Sequence, residues 1–375
     1  MAVKPVLGLV VNPIAGMGGS VGLKGTDGAD AVARARVLGS RPRSGDRARL
    51  ALGEIVHALG NGFVVKTVAG EMGEAVAQAV GIVPVVVVAG PADETTAADT
   101  QRAVANLVAD GVDLLLFAGG DGTARDVCAT IGGSVPVLGV PTGVKMHSAA
   151  FATHPRVAGQ VAARFLAGEA LDCHDAEVMD IDEEALRSDR VSARLYGFLR
   201  VPQARGMIQR VKSGRGGGEA SELAEIAVEM AERMNDGALY LLGPGTTTRA
   251  IAEAIGVEKT LVGVDIVYRG EPIVRDASER DLLTHLRDEP LAKIVVTPIG
   301  GQGYVFGRGN QQFSAEVIRQ VGRVNIIVVA TPSKLAALGG EPLLVDTGDP
   351  DVDALLSGYM RVVTGRRKET MVRVA

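Results

Sequence analysis

Short apolar runs, each closed by a glycine- or proline-bearing turn and followed by a helical pattern, constrain this chain more than any other feature. Val6–Val11 ends at Asn12-Pro13, and Val83–Ala89, Val112–Ala118 and Val135–Val140 have the same texture. Runs of this kind suit strands buried on both faces of a parallel sheet. Between them, Ala29–Leu38, Ala48–Leu59, Ala75–Val80 and Thr95–Asp110 carry helical spacing, and Phe63–Val68 is strand-like. In the Thr95–Asp110 segment Ala98, Ala103, Leu107 and Val108 are expected to face inward. A further helix is expected from about Ala124. Strand-helix alternation of this sort predicts a doubly wound, parallel α/β sheet.

The texture changes near Asp172. Glu177–Asp182 and Arg194–Val201 read as strands with no clear helix between them, and Lys212–Gly218 reads as a flexible connector. Ser221 is placed to cap a helix whose Leu223, Ile226, Ala227, Met230 and Met234 follow helical spacing. Strand-turn-helix units resume at Ala238–Leu242, Thr260–Val267, Ala292–Thr297 and Val324–Ala330. The expected division is therefore 1–170 for a nucleotide-binding domain and 171–375 for a substrate-binding domain of mixed α/β type with additional strands. The last ~25 residues, 351–375, are allowed a return to the first domain.

Composition removes several classes. Glycine accounts for 49 of 375 residues, roughly twice its usual share, without a collagen period. No apolar run approaches the ~20 residues of a membrane-spanning helix, and the N-terminus lacks the regions of a signal peptide. Two cysteines make no disulfide framework. These features predict a cytoplasmic protein that does not engage a membrane. A net charge of −5 argues against a nucleic-acid surface. No Walker A sequence, dinucleotide G-x-G-x-x-G, protein-kinase set or zinc-protease motif is present. The basic stretch Arg41–Arg47 reads as a solvated loop.

The strongest chemical signal is Gly119-Gly120-Asp121-Gly122-Thr123 after the apolar run ending at Ala118. Glycines let a backbone approach a ligand closely, and the N-terminus of the following helix offers N–H groups that suit phosphate. A carboxylate in such a turn would repel phosphate. It makes sense as a proton acceptor for a substrate hydroxyl or as a ligand for Mg²⁺. The plain alternative is that Asp121 caps the helix.

Gly119–Thr123 resembles the signature of the superfamily of NAD kinases, diacylglycerol and sphingosine kinases, and phosphofructokinases. Asn12-Pro13-Ile-Ala-Gly-Met-Gly-Gly19 is similar to the turn after the first strand in these kinases. The whole chain resembles the bacterial ATP-NAD kinase-like proteins related to AcoX, encoded near acetoin catabolism genes. The carrying segments are Val21–Gly28, Phe117–Asp126, Pro141–Ser148, Leu242–Thr248 and Thr297–Gln312. The resemblance implies an NAD kinase-like N-terminal domain, ATP and Mg²⁺ as donor and metal, and transfer of a phosphoryl group to a hydroxyl. NAD, giving NADP, is the first expected acceptor. A small polyol or hydroxyketone is the second, a non-catalytic nucleotide or phosphosugar sensor the third, and polyphosphate an alternative donor. Asp121 takes the role of assisting attack by the hydroxyl. Asn12, Gly119, Gly120, Gly122 and Thr123 take the role of phosphate cradle. A homo-oligomer is implied. Two features depart from NAD kinases: Thr142–His147 stands where their Asn-Glu pair is expected, and 238–330 alternates strand and helix where they carry a β-sandwich.

Other residues are candidates by position. Lys145 and His147 follow the Val135–Val140 run, so Lys145 would neutralise a phosphoryl group, or both are a solvated lysine and a capping histidine. Lys24 and Asp27 lie in the first glycine-rich loop. Gly243, Gly245, Thr246 and Thr247 form a second cradle for phosphate or carboxylate. Arg308 is an expected anion clamp, Asn310 and Gln311 are expected readers of polar substrate groups, and Asp265 is expected to orient a hydroxyl.

Overall fold

A computed structural model describes residues 4–19, 21–23, 29–91, 94–143, 146–181, 193–204, 207–208, 219–289, 291–299 and 302–375. The expected sites at Lys24, Asp27 and Lys145, and the connector at 212–218, lie outside the described residues.

The first half alternates strand and helix as its sequence predicts as far as the fifth strand, and then adds a helix the sequence did not predict. In chain order it runs β1 (Val6–Val11), α1 (Ala29–Val37), α2 (Ser44–Leu59), β2 (Val64–Val68), α3 (Glu74–Ala79), β3 (Val85–Val88), α4 (Ala97–Ala109), β4 (Leu114–Gly119), α5 (Asp121–Ile131), β5 (Val137–Pro141) and α6 (Pro155–Leu166). The strands form one five-stranded sheet in the order β3-β2-β1-β4-β5, with every pairing parallel. β4 and β5 are buried along their whole length, as their apolar runs require. Phe117 of β4 meets Phe151 edge-on at 5.3 Å in the same core.

Two expectations are corrected here. The Val83–Ala89 run is not a buried central strand. β3 is an edge strand with Val85 and Val86 exposed, since no strand among the described residues pairs with its far side, and Val83 before it is 95% exposed. Ala98 is exposed, since α4 turns Thr100, Ala103, Val104 and Leu107 inward.

A hairpin of β6 (Cys173–Ile181) and β7 (Ala193–Pro202) follows. Its Ala176, Val178, Leu199 and Val201 belong to the same core as the first sheet, although they lie beyond residue 170. After the helix Glu219–Arg233 come β8 (Leu239–Leu242), the helix Thr246–Ala254, β9 (Asp265–Tyr268), β10 (Glu271–Val274), the helix Glu279–Asp288 and β11 (Ala292–Val296). The remainder holds β12 (Tyr304–Phe306), the helix Ala315–Val321, β13 (Ile326–Val329), the helix Pro332–Ala336, β14 (Leu344–Val345), the helix Pro350–Leu356, β15 (Gly358–Gly365) and β16 (Lys368–Val374). Seven of these strands form a mixed sheet in the order β10-β9-β8-β11-β13-β15-β16. Its middle strands β8, β11, β13 and β15 are parallel, while β9, β10 and β16 pair antiparallel. Apolar clusters cover its two faces. The C-terminal end closes this second sheet as β16, and Val374 is buried in its core.

Candidate active site

In an open α/β sheet, ligands bind beyond the carboxyl ends of the strands, at the point where strand order reverses. In the first sheet the chain moves outward from β1 through β2 to β3, then returns to add β4 on the other side. The switch point therefore lies between β1 and β4, where Asn12 and Gly119–Thr123 emerge.

The glycines there let three loops pack on one another. A Cβ on Gly119 would sit 2.3 Å from the Thr123 side chain, and one on Gly16 would sit 1.9 Å from the Thr142 carbonyl. Gly143 comes so near that its Cβ would lie 2.9 Å from the Gly120 Cα. Gly120 is the N-cap of α5 and supplies no side-chain cap, so the helix begins at Asp121, three residues before the expected Ala124. Asn12 Nδ2 donates to Thr123 Oγ1 at 3.0 Å, and Asn12 Oδ1 accepts from the Ile14 amide at 3.3 Å. These bonds tie the first loop to the first turn of α5.

Asp121 does not cap its own helix. Its carboxylate reaches across to the loop after β5, where Oδ2 accepts from the His147 amide at 2.7 Å and Oδ1 from the Ser148 amide at 2.9 Å. The same loop is held from the other side, because Ser148 Oγ accepts from the Met179 amide at 3.0 Å. His147 Nδ1 stands 3.4 Å from Asp121 Oδ2, and both side chains are nearly buried. That separation is within ion-pair reach, yet neither ring nitrogen of His147 makes a hydrogen bond. The Thr142 hydroxyl on the same loop is also buried without a partner.

The expected residues of the second half separate into two groups. Gly243, Gly245, Thr246 and Thr247 do gather at a strand end, with Gly245 as N-cap of the helix Thr246–Ala254 at φ +127°. Thr247 is fully buried and its Oγ1 lies 3.3 Å from Thr297 Oγ1, at the end of the neighbouring β11. Lys334, which composition and spacing did not flag, donates to both hydroxyls at 3.2 and 3.0 Å. The turns after β8, β11 and β13 thus converge through three side chains.

Asp265, Asn310 and Arg308 are engaged inside the protein. Asp265 is fully buried and accepts from the Thr260 amide and hydroxyl at 2.7 Å each and from the Asp276 amide at 2.8 Å. Asn310 organises its own loop, donating to the Val305 carbonyl at 2.8 Å and accepting from the Gly307 amide at 3.0 Å. Arg308 is buried against Asp346 and the Thr153 carbonyl, each at 3.2 Å, with its guanidinium over the Tyr304 ring at 4.6 Å. Its charge is matched by Asp346. Gln311 packs against Gly19, which joins the loop of the second half to the first glycine-rich loop.

Asp346 also pairs with Arg47, so the basic stretch ending at Arg47 is not wholly a solvated loop. Burial alone would raise the Asp346 carboxyl, but Arg47, Arg308 and His154 outweigh it and hold it below the ordinary range. Tyr304, also fully buried, is pushed up to about 12 by desolvation. Gln302 Nε2 completes this junction by donating to the Met146 carbonyl at 2.9 Å.

Two family models match the chain: the ATP-NAD kinase N-terminal domain over residues 7–170 and the ATP-NAD kinase C-terminal domain over residues 235–374. The chain belongs to the ATP-NAD kinase family. It is an ATP-dependent kinase of that family, and a small-molecule substrate fits it. No curated protein and no solved structure matches it. In this kinase the switch-point loops all fall within the N-terminal match, and the Gly243–Thr247 and Lys334 cluster falls within the C-terminal one. Among the described residues no helix is long and apolar enough to cross a membrane.

Proposed function

We propose that the kinase transfers the γ-phosphoryl group of ATP to the ribose 2′-hydroxyl of NAD, producing NADP. The observation that carries this reading is Asp121, a carboxylate at the N-terminus of α5 and at the switch point, fixed by two backbone amides. Gly119, Gly120, Gly122 and Thr123, with Asn12 beside them, form the phosphate cradle. An uncapped helix start and loops joined at their glycines suit closely approaching phosphate oxygens. The orphaned Thr142 and His147 polar atoms fit a polar ligand beside that cradle.

The Mg²⁺ that such a transfer uses supplies charge neutralisation between the phosphates. Among the described residues no group of three His, Cys, Asp or Glu side chains gathers to hold an ion. Both Asp121 oxygens already serve the 147–148 loop, so the metal would take its ligands from the phosphates and water. In the second half, Thr247, Thr297 and Lys334 are assigned to an anionic group of the acceptor. Lys145 remains assigned to the transferring phosphoryl group, and Gln311 to the acceptor. The proposal includes polyphosphate as an alternative donor, a homo-oligomeric state, a cytoplasmic location and a nucleotide-binding first half joined to a substrate-binding second half.

A small polyol or hydroxyketone is the second reading. It is favoured by the mixed sheet of β8–β11, β13, β15 and β16, which differs from the β-sandwich that NAD kinases are expected to carry. Pure protein with MgATP and a panel of NAD, NADH, acetoin and polyols separates the readings by ADP release. Release stimulated by NAD supports the first, and release stimulated only by a polyol supports the second. No stimulated release by any acceptor overturns both and leaves a sensor.

A further inference from the structure

We infer that Gln302 is a positioning residue for Asp121, because its side-chain amide holds the same peptide group that holds the carboxylate. The inference rests on the phosphoryl-transfer reading above, in which Asp121 assists attack by the acceptor hydroxyl. Gln302 Nε2 donates to the Met146 carbonyl at 2.9 Å. The next amide along the chain, that of His147, donates to Asp121 Oδ2 at 2.7 Å. The Met146 C=O and the His147 N–H are the two ends of one planar peptide unit. Turning that unit to release one of the two bonds releases the other. Side-chain amide, peptide and carboxylate therefore form a single hydrogen-bonded chain, in which each bond polarises the next.

Both ends of the chain are anchored. Gln302 is buried, and its turn is closed by the Gln302 and Gly303 amides donating to the Ile299 carbonyl at 3.2 and 2.9 Å. At the other end Asp121 Oδ1 accepts from the Ser148 amide, and Ser148 Oγ in turn accepts from the Met179 amide. Each Asp121 oxygen takes one backbone N–H, and a carboxylate oxygen has two lone pairs. The bonds to the loop thus fix the direction of the carboxylate and leave it capacity for an acceptor hydroxyl.

The origin of Gln302 gives the contact its consequence. It lies in the C-terminal match, whereas Met146 and Asp121 lie in the N-terminal one. It stands five residues after Thr297, whose hydroxyl accepts from Lys334 in the cluster assigned to the acceptor. The loop after β11 therefore carries both an acceptor contact and the clamp on Asp121. Arg308, from the same half, adds its Nη1 at 3.8 Å from the Met146 sulfur. Contact between the halves completes the positioning of the carboxylate, and one loop sets the acceptor and the carboxylate in register.

The test compares the full chain with Gln302→Leu and Gln302→Glu, using MgATP and NAD, or the panel member that stimulates ADP release if NAD does not. Thermal melting checks that each variant is folded. Both variants are expected to lose roughly 10- to 100-fold in kcat, with KM for ATP within about threefold of wild type. A glutamate has no N–H to give, but burial raises its carboxyl, so in mild acid it gains an O–H that can donate to the Met146 carbonyl. The kcat of Gln302→Glu relative to wild type should therefore climb as the pH is lowered, while that of Gln302→Leu stays level. In an Asp121→Asn background, where no carboxylate is left to position, either Gln302 substitution should lower the residual rate by no more than about threefold. A residue that only joined the halves would show its full loss there, and the two relative rates would run parallel with pH. Either of those results, or wild-type kcat in a folded variant, overturns the inference and leaves the kinase reading standing. If Gln302→Leu does not fold, Gln302→Glu alone carries the kcat and double-variant comparisons. A wild-type protein that releases no ADP with any acceptor overturns both the inference and the kinase reading.

Discussion

At the scale of single residues, the glycines of the switch point let neighbouring loops come into close contact. Gly16 sits at φ +79° with the Thr142 carbonyl where its side chain would be, and Gly119 has Thr123 there. Gly16→Ala is therefore expected to lower stability by roughly 1–3 kcal/mol through backbone strain. It should also weaken ATP binding, as thermal melting and calorimetry would register. Their place at the end of an apolar strand made Asn12, Gly119 and Asp121 readable from sequence as strand-to-helix turns. The partners of Asp121 were not readable. They are backbone amides 26 and 27 residues further on, and a backbone amide leaves no mark in the residue string.

At the scale of elements, periodicity located most strands and helices, but it missed the helix α6 and the β9–β10 hairpin and did not say which strand lies at an edge. Val83–Ala89 is as apolar as the run that forms β4, yet β3 ends the sheet. The order of strands in a sheet is a tertiary outcome, so an edge strand and a central one can share a composition. The same limit explains Asp265, Asn310 and Arg308. Polar residues in strand-end turns serve a ligand or the turn itself, and the bonds these three make go to the turn and to the junction between the halves. Lys334 was missed because its helix, Pro332–Ala336, meets Thr247 and Thr297 only through the β8-β11-β13 neighbourhood. Removing its ammonium by Lys334→Met is expected to raise KM for the acceptor roughly tenfold or more, with kcat little changed. Steady-state kinetics with the acceptor varied at saturating ATP would read this.

At the scale of the whole molecule, the two halves meet through a buried charge cluster. Asp346 joins Arg47 and Arg308, and His154 Nε2 stands 3.5 Å away. Arg47 and Asp346 are 299 residues apart, which is why the pairing is invisible in the sequence. Asp346→Ala would leave two arginines unmatched, at a cost of about 3–5 kcal/mol, seen as a lower melting temperature. Acid should act on the same cluster. The Asp346 carboxyl is held below its ordinary 3.8, so its contribution is present above 3.8 and is lost as the pH falls through its lower native value. Burial pushes His154 below its ordinary 6.5, with Asp346 pulling partly the other way, so its contribution is lost as the pH drops below 6.5. The melting temperature is therefore expected to decline in two stages from neutrality into acid, and His154→Gln should remove the upper stage. The central claim, however, is phosphoryl transfer governed by Asp121. It is tested most directly by following ADP release from MgATP with and without NAD in wild-type protein and in Asp121→Asn. The account predicts NAD-dependent release with NADP as product, lowered by about 10²–10⁴-fold in Asp121→Asn. Equal NAD-stimulated release by the two proteins would contradict it.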